Sequence, residues 1–370
     1  MEKTEPTNEG DILLEAAQKR QTRGRRTKGC SNGILNCLRA SARTFTELNK
    51  RIDFSQDVVF CKDQTLKLDD KEAFTNVLKK FPWISYRSDF KEINGFTSDS
   101  GWGCMIRTGQ MMIAYTLVQI KLEEYKTPES DSVHEKVLHA IIPMFFDNQM
   151  EFDAPFSIQN IIQIGEKMYN KAAGLWYGAN SVSHCLKECH DRYNTKFNSD
   201  LEIKIFNEGI VYEDEITKVL EENKRLLVII PQRLGLKKVD PAYFPQIKEL
   251  LGCKLSMGIL GGRDTSARFI IGHQEDTLIT LDPHYDQCTV DTLDEGGLAT
   301  YVTEYSRNFS IYDLDTTVAF CFLISSTMDK EFLNAKISTM KVKYKDDNIL
   351  IMLESKKTLE DNIHNDIESF

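Results

Sequence analysis

The chain changes texture near its middle, and that change limits what it can fold into. Between about Leu201 and Leu323 it offers short β-rich runs. These are Leu226-Leu227-Val228-Ile229-Ile230, Ser256-Met257-Gly258-Ile259-Leu260, Phe269-Ile270-Ile271, Thr277-Leu278-Ile279-Thr280-Leu281 and Val318-Ala319-Phe320-Cys321-Phe322-Leu323. Runs of this kind, bounded by polar and glycine-containing segments, predict strands, and Gln274-Glu275-Asp276 predicts a hairpin between the third and fourth. From Asp57 to about Asn194 the apolar residues recur at helical spacing instead. One helix starts at Asp69-Asp70-Lys71-Glu72 and ends near Phe81-Pro82. Val133 to Phe146 predicts another, ended or kinked by Pro143, and Ile158 to Met168 and Ser181 to Tyr193 predict two more. A helical half followed by a mostly antiparallel sheet is an α+β arrangement.

At 370 residues the chain can bury a substantial core. Its net charge of −10 argues against nucleic acid as a partner. No apolar run reaches the length that spans a bilayer, and the N-terminus is polar rather than signal-like. Nine cysteines without CxxC pairs point to free thiols, a reducing compartment and a cytoplasmic home. Three parts are expected: an N-terminal extension over 1–57, a folded body over 58–325 and a C-terminal extension over 326–370. The first carries a basic cluster (Lys19, Arg20, Arg23, Arg25, Arg26, Lys28) and then Ile34, Leu35, Cys37 and Leu38. That pattern suits transient contact with an anionic membrane surface, although a solvated tail is the plainer expectation.

Thr97 to Met112 carries the first chemistry. Two glycines bracket Trp102, and Cys104 follows where a helix begins. Ser98, Asp99 and Ser100 are all capping residues, and Met105, Ile106, Met112, Ile113, Ala114 and Leu117 continue at close to helical spacing. In the first turn of a helix the unpaired N–H groups and the positive end of the dipole favour a thiolate over a thiol. A lone cysteine is otherwise more often a small core hydrophobe.

The partner groups follow the fourth predicted strand, at Asp282-Pro283-His284. In extended backbone, residues two apart share a side, so the Asp282 carboxylate can orient His284 and leave its other ring nitrogen for Cys104. Nucleophile, base and orienting acid are then complete, in the chain order Cys…Asp…His. A turn histidine beside a carboxylate is the bland alternative.

The segment Thr97-Ser98-Asp99-Ser100-Gly101-Trp102-Gly103-Cys104-Met105-Ile106-Arg107 resembles the catalytic-cysteine signature of the autophagins, the autophagy cysteine peptidases. Leu281-Asp282-Pro283-His284 resembles their Asp-Pro-His signature. Ile230-Pro231-Gln232-Arg233-Leu234-Gly235-Leu236, Gly258-Ile259-Leu260-Gly261-Gly262-Arg263, Trp176-Tyr177-Gly178-Ala179-Asn180-Ser181-Val182 and Asp313-Leu314-Asp315 are similar to further landmarks, in order. The resemblance implies a papain-like cysteine peptidase fold with an added helical subdomain, acting without metal or cofactor, as a monomer. It implies a substrate too: the C-terminus of a ubiquitin-like autophagy modifier, cut after glycine in the precursor and later released from phosphatidylethanolamine. It assigns Tyr86 to the oxyanion site beside the Cys104 N–H, Trp176 to a cover over the cleft, and Ser256 to Gly262, with Gly261 and Gly262 contacting substrate, to a loop that lifts. Taken alone, Trp176 reads as a core aromatic and Tyr86 as a surface tyrosine after a helix end. Tyr285-Asp286 departs from the small hydroxylated residues usual after Asp-Pro-His, and His273 is an unexpected ionisable group on a neighbouring strand; both bear on the pH optimum.

Two rivals need discriminating. His184-Cys185 and Cys189-His190 have a spacing that invites zinc, but both pairs sit on one predicted helix and adjacent ligands diverge, so no metal site is expected. A non-catalytic protein that binds the modifier without cutting it would share the fold; the presence of Cys104, Asp282, His284 and Tyr86 argues for the enzyme.

Overall fold

A computed structural model of the chain describes residues 52–66, 71–125, 130–148, 153–197 and 199–355. The basic cluster, the short apolar stretch after it and the chain beyond Ser355 lie outside the described residues. In chain order the first elements are β1 (Val58–Phe60), β2 (Gln64–Leu66), α1 (Lys71–Lys79), β3 (Tyr86–Ile93) and β4 (Phe96–Ser98). Helices α2 (Cys104–Glu124), α3 (Asp131–Ile141), α4 (Ile158–Tyr169) and α5 (Ala179–Phe197) follow. Next come β5 (Leu201–Ile205), β6 (Ile210–Tyr212), α6 (Glu213–Glu221), β7 (Arg225–Arg233), α7 (Phe244–Leu251), β8 (Ser256–Arg263), β9 (Ser266–Gln274) and β10 (Thr277–Leu281). The remainder is β11 (Asp286–Cys288), α8 (Glu295–Ala299), β12 (Phe309–Ser310), β13 (Thr317–Ile324), α9 (Thr327–Tyr344) and β14 (Ile351–Leu353).

These elements form two compact units that interleave in sequence. The first holds residues 76–189 and 282–306; the second holds 51–75, 190–281 and the described chain from 307 on. A plain division into halves is therefore corrected in two respects: residues 51–75, with β1 and β2, belong to the second unit, and after β10 the chain passes back to the first unit, bringing Asp282 and His284 with it.

In the second unit the β-rich runs build a nine-stranded sheet in the order β12-β10-β9-β8-β13-β7-β5, with β1 on β9 and β2 on β1. The long rung set from Thr317 opposite Arg233 to Ile324 opposite Leu226 makes β13 and β7 its centre. Leu226 to Pro231 and Val318 to Ile324 are buried along their whole length, which is why they are continuous apolar runs rather than alternating ones. Pairing is mostly antiparallel; β5 on β7, β11 on β3 and β14 on β6 are parallel. The α+β expectation holds.

Residues past 325 do not stand apart. Ser326 caps α9 by accepting the Asp329 N–H at 3.2 Å, and Leu333, Ile337 and Met340 bury one face. β14 then pairs with β6. The expected extension over 326–370 is thus, as far as Ser355, part of the second unit.

The first unit is built around α2. Every residue from Cys104 to Thr116 is buried, as befits a helix surrounded on all sides. Gly109 gives α5 its approach: a Cβ there would lie 2.7 Å from a Leu186 methyl and 3.2 Å from one of Val182. The three-stranded sheet β11-β3-β4 completes the unit.

Candidate active site

Cys104 is the first residue of α2, as its spacing predicts, but its N-cap is Gly103 and no side chain caps the helix. The capping expectation for Ser98, Asp99 and Ser100 is corrected by what Asp99 does instead. Its carbonyl accepts the N–H groups of Trp102 and Gly103 at 3.1 and 2.8 Å. Its carboxylate accepts the Arg87 N–H at 2.7 Å and two bonds from Arg107, at 2.8 and 2.9 Å. A Cβ at Gly103 would overlap that carboxylate, so glycine is required there. Gly101 supplies the φ of +92° at which the turn reverses. Arg107 also donates to Asp147 at 3.0 Å and to Gln110 at 3.0 Å, so one guanidinium with no solvent exposure bridges two buried carboxylates. Burial works against its charge, but Asp147 and Asp99 outweigh that and push its pKa further up.

Asp282 is buried, and its Oδ1 accepts both the His284 backbone N–H, at 3.0 Å, and the proton on His284 Nδ1. One carboxylate oxygen thereby fixes the turn and the imidazole together. The Trp83 indole N–H donates to the Asp282 carbonyl at 2.8 Å, and the Tyr86 N–H to the Pro283 carbonyl at 2.9 Å. The imidazole also lies beside the sulfur: the Cys104 side chain is near enough to act on the charge of His284. Burial would push His284 down, yet its bond to Asp282 and the influence of both Asp282 and Cys104 hold it up at about 9. At neutral pH the ring carries a proton and sits against the sulfur.

Tyr86 is not the surface tyrosine its sequence context suggests. It opens β3, is buried, and lies edge-on to His284 with ring centroids 5.3 Å apart. The Cys104 side chain and the Gly101 backbone lie close enough to its hydroxyl to act on its titration. Burial first, then Cys104 and Asp99, push its pKa well above the phenol range, so the hydroxyl keeps its proton. The structure brings Cys104, His284, Asp282 and Tyr86 together within the first unit.

Trp176 lies in the same unit and is 39% exposed, against the core-aromatic reading. Its loop abuts the Cys104 turn through aromatic packing: Gly174 lies against Phe96, whose ring meets Trp102 edge-on at 5.7 Å. Gly261 and Gly262 belong to the second unit. The strand predicted from the β-rich run Ser256 to Leu260 is present as β8, and the loop that the resemblance implies over Ser256 to Gly262 is corrected: β8 is buried from Ser256 through Gly262 and hydrogen-bonded to β13 and β9. Its glycines answer to packing, since a Cβ on Gly262 would strike the Ser266 backbone. The turn comes only at Asp264 and Thr265, where φ is +49° and +61°.

His273 is on β9, also in the second unit; burial and then Lys248 push it down to about 4, so it is uncharged at working pH. Cys185 and Cys253 are pushed up by burial to about 12 and about 11, which leaves neither as a thiolate at neutral pH. Among the described residues Cys61, Cys104, Cys185, Cys189, Cys253 and Cys321 are free thiols. Among the described residues no three His, Cys, Asp or Glu side chains gather as a cation site, and no helix is long and apolar enough to cross a membrane.

Spacing alone did not find Arg107, Arg87 or Asp147. The visible signal was a charged residue in the first turn of an otherwise apolar helix, eight positions after an aspartate. Arg87 stacks over the Tyr301 ring at 4.3 Å and donates to the carbonyls of Cys288 and Thr300 at 3.0 and 3.1 Å, holding the chain that follows His284.

The comparisons agree with this geometry. Residues 71–336 match the peptidase C54 catalytic domain. A probable cysteine protease atg4 of Aspergillus clavatus is 31% identical over 295 residues, covering 70% of this chain and 71% of that protein. A probable cysteine protease ATG4 of Pichia angusta is 36% identical over 198 residues, covering 52% and 37%. Cysteine protease atg4da of Danio rerio is 25% identical over 352 residues, covering 75% and 70%. The chain spans about half the length of several relatives, for example 56% of the Botryotinia fuckeliana protein.

Proposed function

Because the chain belongs to the peptidase C54 family, the papain-like autophagin cysteine proteases, we propose that it cuts the C-terminus of a ubiquitin-like autophagy modifier after glycine and releases the same modifier from phosphatidylethanolamine. The observation that carries the proposal is His284 held between the Asp282 carboxylate and the Cys104 sulfur. In the proposed first step the Cys104 thiolate attacks the glycine carbonyl carbon. The developing oxyanion takes hydrogen bonds from the Cys104 backbone N–H and the Tyr86 hydroxyl. The His284 imidazolium gives its proton to the leaving amine, and a thioester to Cys104 remains. Neutral His284 then takes one proton from water, whose oxygen attacks the thioester; the C–S bond breaks to return the Cys104 thiolate beside the His284 imidazolium, and the glycine carboxylic acid leaves and gives its proton to solvent.

An amide between glycine and ethanolamine presents the same carbonyl as a peptide bond, so both reactions fit one site. Glycine offers no side chain to grip, so selectivity rests on a narrow channel under Trp176 and on broad contact with the folded modifier. Gly261 and Gly262 enter the proposal as substrate contacts through the resemblance. The steps call on no metal or cofactor, and we propose that the protein acts as a monomer in the cytoplasm, with transient contact at membranes that carry the lipidated modifier.

Tyr86→Phe is expected to lower kcat by about 10²–10³-fold with little change in KM, the effect of one lost oxyanion donor; a rate within twofold of the parent would remove Tyr86 from the oxyanion site. The pH profile has a definite sign. His284 must carry a proton for the first step, so activity should fall as pH rises through about 9. Asp282→Asn removes a cause of the raised value and should bring that alkaline limb to lower pH. An unmoved limb would separate His284 from the rate. Incubation of the chain with a panel of modifier precursors and with modifier-bearing liposomes tests the function. Release of the peptide after glycine and of free modifier is expected; binding without cleavage of any member would leave a binding protein of the same fold.

A further inference from the structure

The loop that presents Trp176 is tied at one point. α4 ends at Tyr169 with Asn170 left-handed at φ +53°, and the Lys171 N–H reaches back to the Gly165 carbonyl at 3.1 Å. The Lys171 carbonyl accepts the Tyr177 hydroxyl at 2.5 Å, and the Lys171 ammonium donates to the Trp176 carbonyl at 2.7 Å. All three polar groups of one residue are thus spent on the loop from Gly165 to Tyr177. Gly165 makes the arrangement possible, because a Cβ there would occupy the place of the Tyr177 hydroxyl. Tyr177 is fully buried and fixed, while its neighbour Trp176 stands half-exposed. The same loop rests through Gly174 on Phe96, and Phe96 on Trp102, two residues before Cys104. These ties hold the backbone at Trp176, while the residue itself is 39% exposed.

We propose that Lys171 is the positioning residue for Trp176, and that through Trp176 it sets the preference for glycine on the acyl side of the scissile bond. The proposal rests on Trp176 being the cover of the active-site channel. Lys171 touches no reacting atom; it acts by holding the Trp176 carbonyl, and hence the ring, above the site. A loosened Trp176 would admit a side chain where the closed channel accepts only hydrogen.

The test compares modifier precursors that end the cut in glycine or in alanine, using the full chain. Lys171→Met, which keeps the stem and removes the donor, is expected to lower the glycine-to-alanine ratio of kcat/KM by about tenfold, the worth of one methyl in a pocket. Lys171→Arg retains a donor and should keep most of the ratio. Tyr177→Phe, a smaller change, should shift the ratio in the same direction. Trp176→Ala should lose the preference, and adding Lys171→Met to it should do nothing more. A parent-like ratio in Lys171→Met and Tyr177→Phe, with the preference lost in Trp176→Ala, would overturn the strap alone. A parent-like ratio in Trp176→Ala would overturn the cover and the strap with it. Labelling with 5-fluorotryptophan reads the tie without any cleavage: the Trp176 resonance, assigned by Trp176→Phe, should move or broaden in Lys171→Met. An unmoved resonance would overturn the proposal even in a chain that cut no precursor.

Discussion

Cys104→Ala is expected to lower kcat for precursor cleavage by about a million-fold while the substrate still binds. The size follows from what the variant lacks. The Cys104 N–H and the Tyr86 hydroxyl would still polarise the carbonyl, but no atom remains to form the thioester, and water must attack unaided. His284→Ala should lose almost as much, because an unassisted thiol attacks poorly and the leaving amine finds no proton. The double variant should be no worse than the worse single one, since the two groups act as a unit. Affinity should hold because Cys104 is a small buried side chain at a helix start and offers the modifier little surface. Single-turnover cleavage and equilibrium binding of the same precursor measure both quantities. A thousandth or more of the parent rate in Cys104→Ala would mean that another group is the nucleophile.

Arg107→Leu should produce the largest loss of stability, about 3–5 kcal/mol. Its guanidinium lies between Asp99 and Asp147 with no solvent exposure, so removing it leaves two carboxylates buried without a counter-charge. Burial already pushes Asp99 above the usual carboxylate range against the pull of Arg107. Without that pull it would take up a proton and give up its hold on the Arg87 N–H. The damage would then reach the site, since Arg87 follows Tyr86 and the Asp99 carbonyl shapes the turn into Cys104. Arg107→Lys should recover part of the loss, having the charge but not the two-pronged geometry. Denaturant midpoints report the stability, and residual activity below the transition reports the site. A shift under about 0.5 kcal/mol for Arg107→Leu would mean that the triad of charges is not holding the first unit together.

The placement of the three candidate site residues was legible because their local structure is simple. A helix start after two glycines and a proline-stiffened turn at a strand exit leave few places for Cys104, Asp282 and His284 to point. The central strands were legible as well, since full burial writes them as unbroken apolar runs. β3 was not, because Tyr86 to Ile93 mixes buried and exposed positions and is broken by Asp89 at φ +67°. That irregularity hid the burial of Tyr86. At β8 the residue pattern was sound and the resemblance was not: Ser256 to Leu260 is the strand its β-rich run predicts, and the glycines of the expected loop admit neighbouring strands at close range. The Arg107 network was hidden because its members are distant in sequence and two of them, Asp99 and Arg107, have ordinary surface explanations. Trp176 could be placed only by resemblance, as an aromatic carries no mark of whether it faces core or solvent.

The account turns on Cys104 meeting the carbonyl of a C-terminal glycine, and that encounter can be trapped. A modifier whose terminal glycine is replaced by a thiol-reactive group would be mixed with the chain, and the intact mass and site of attachment read out. The predicted result is one modifier per chain, attached at Cys104, formed slowly in His284→Ala and absent in Cys104→Ala. Attachment at a different cysteine, or the same rate with and without His284, would contradict it.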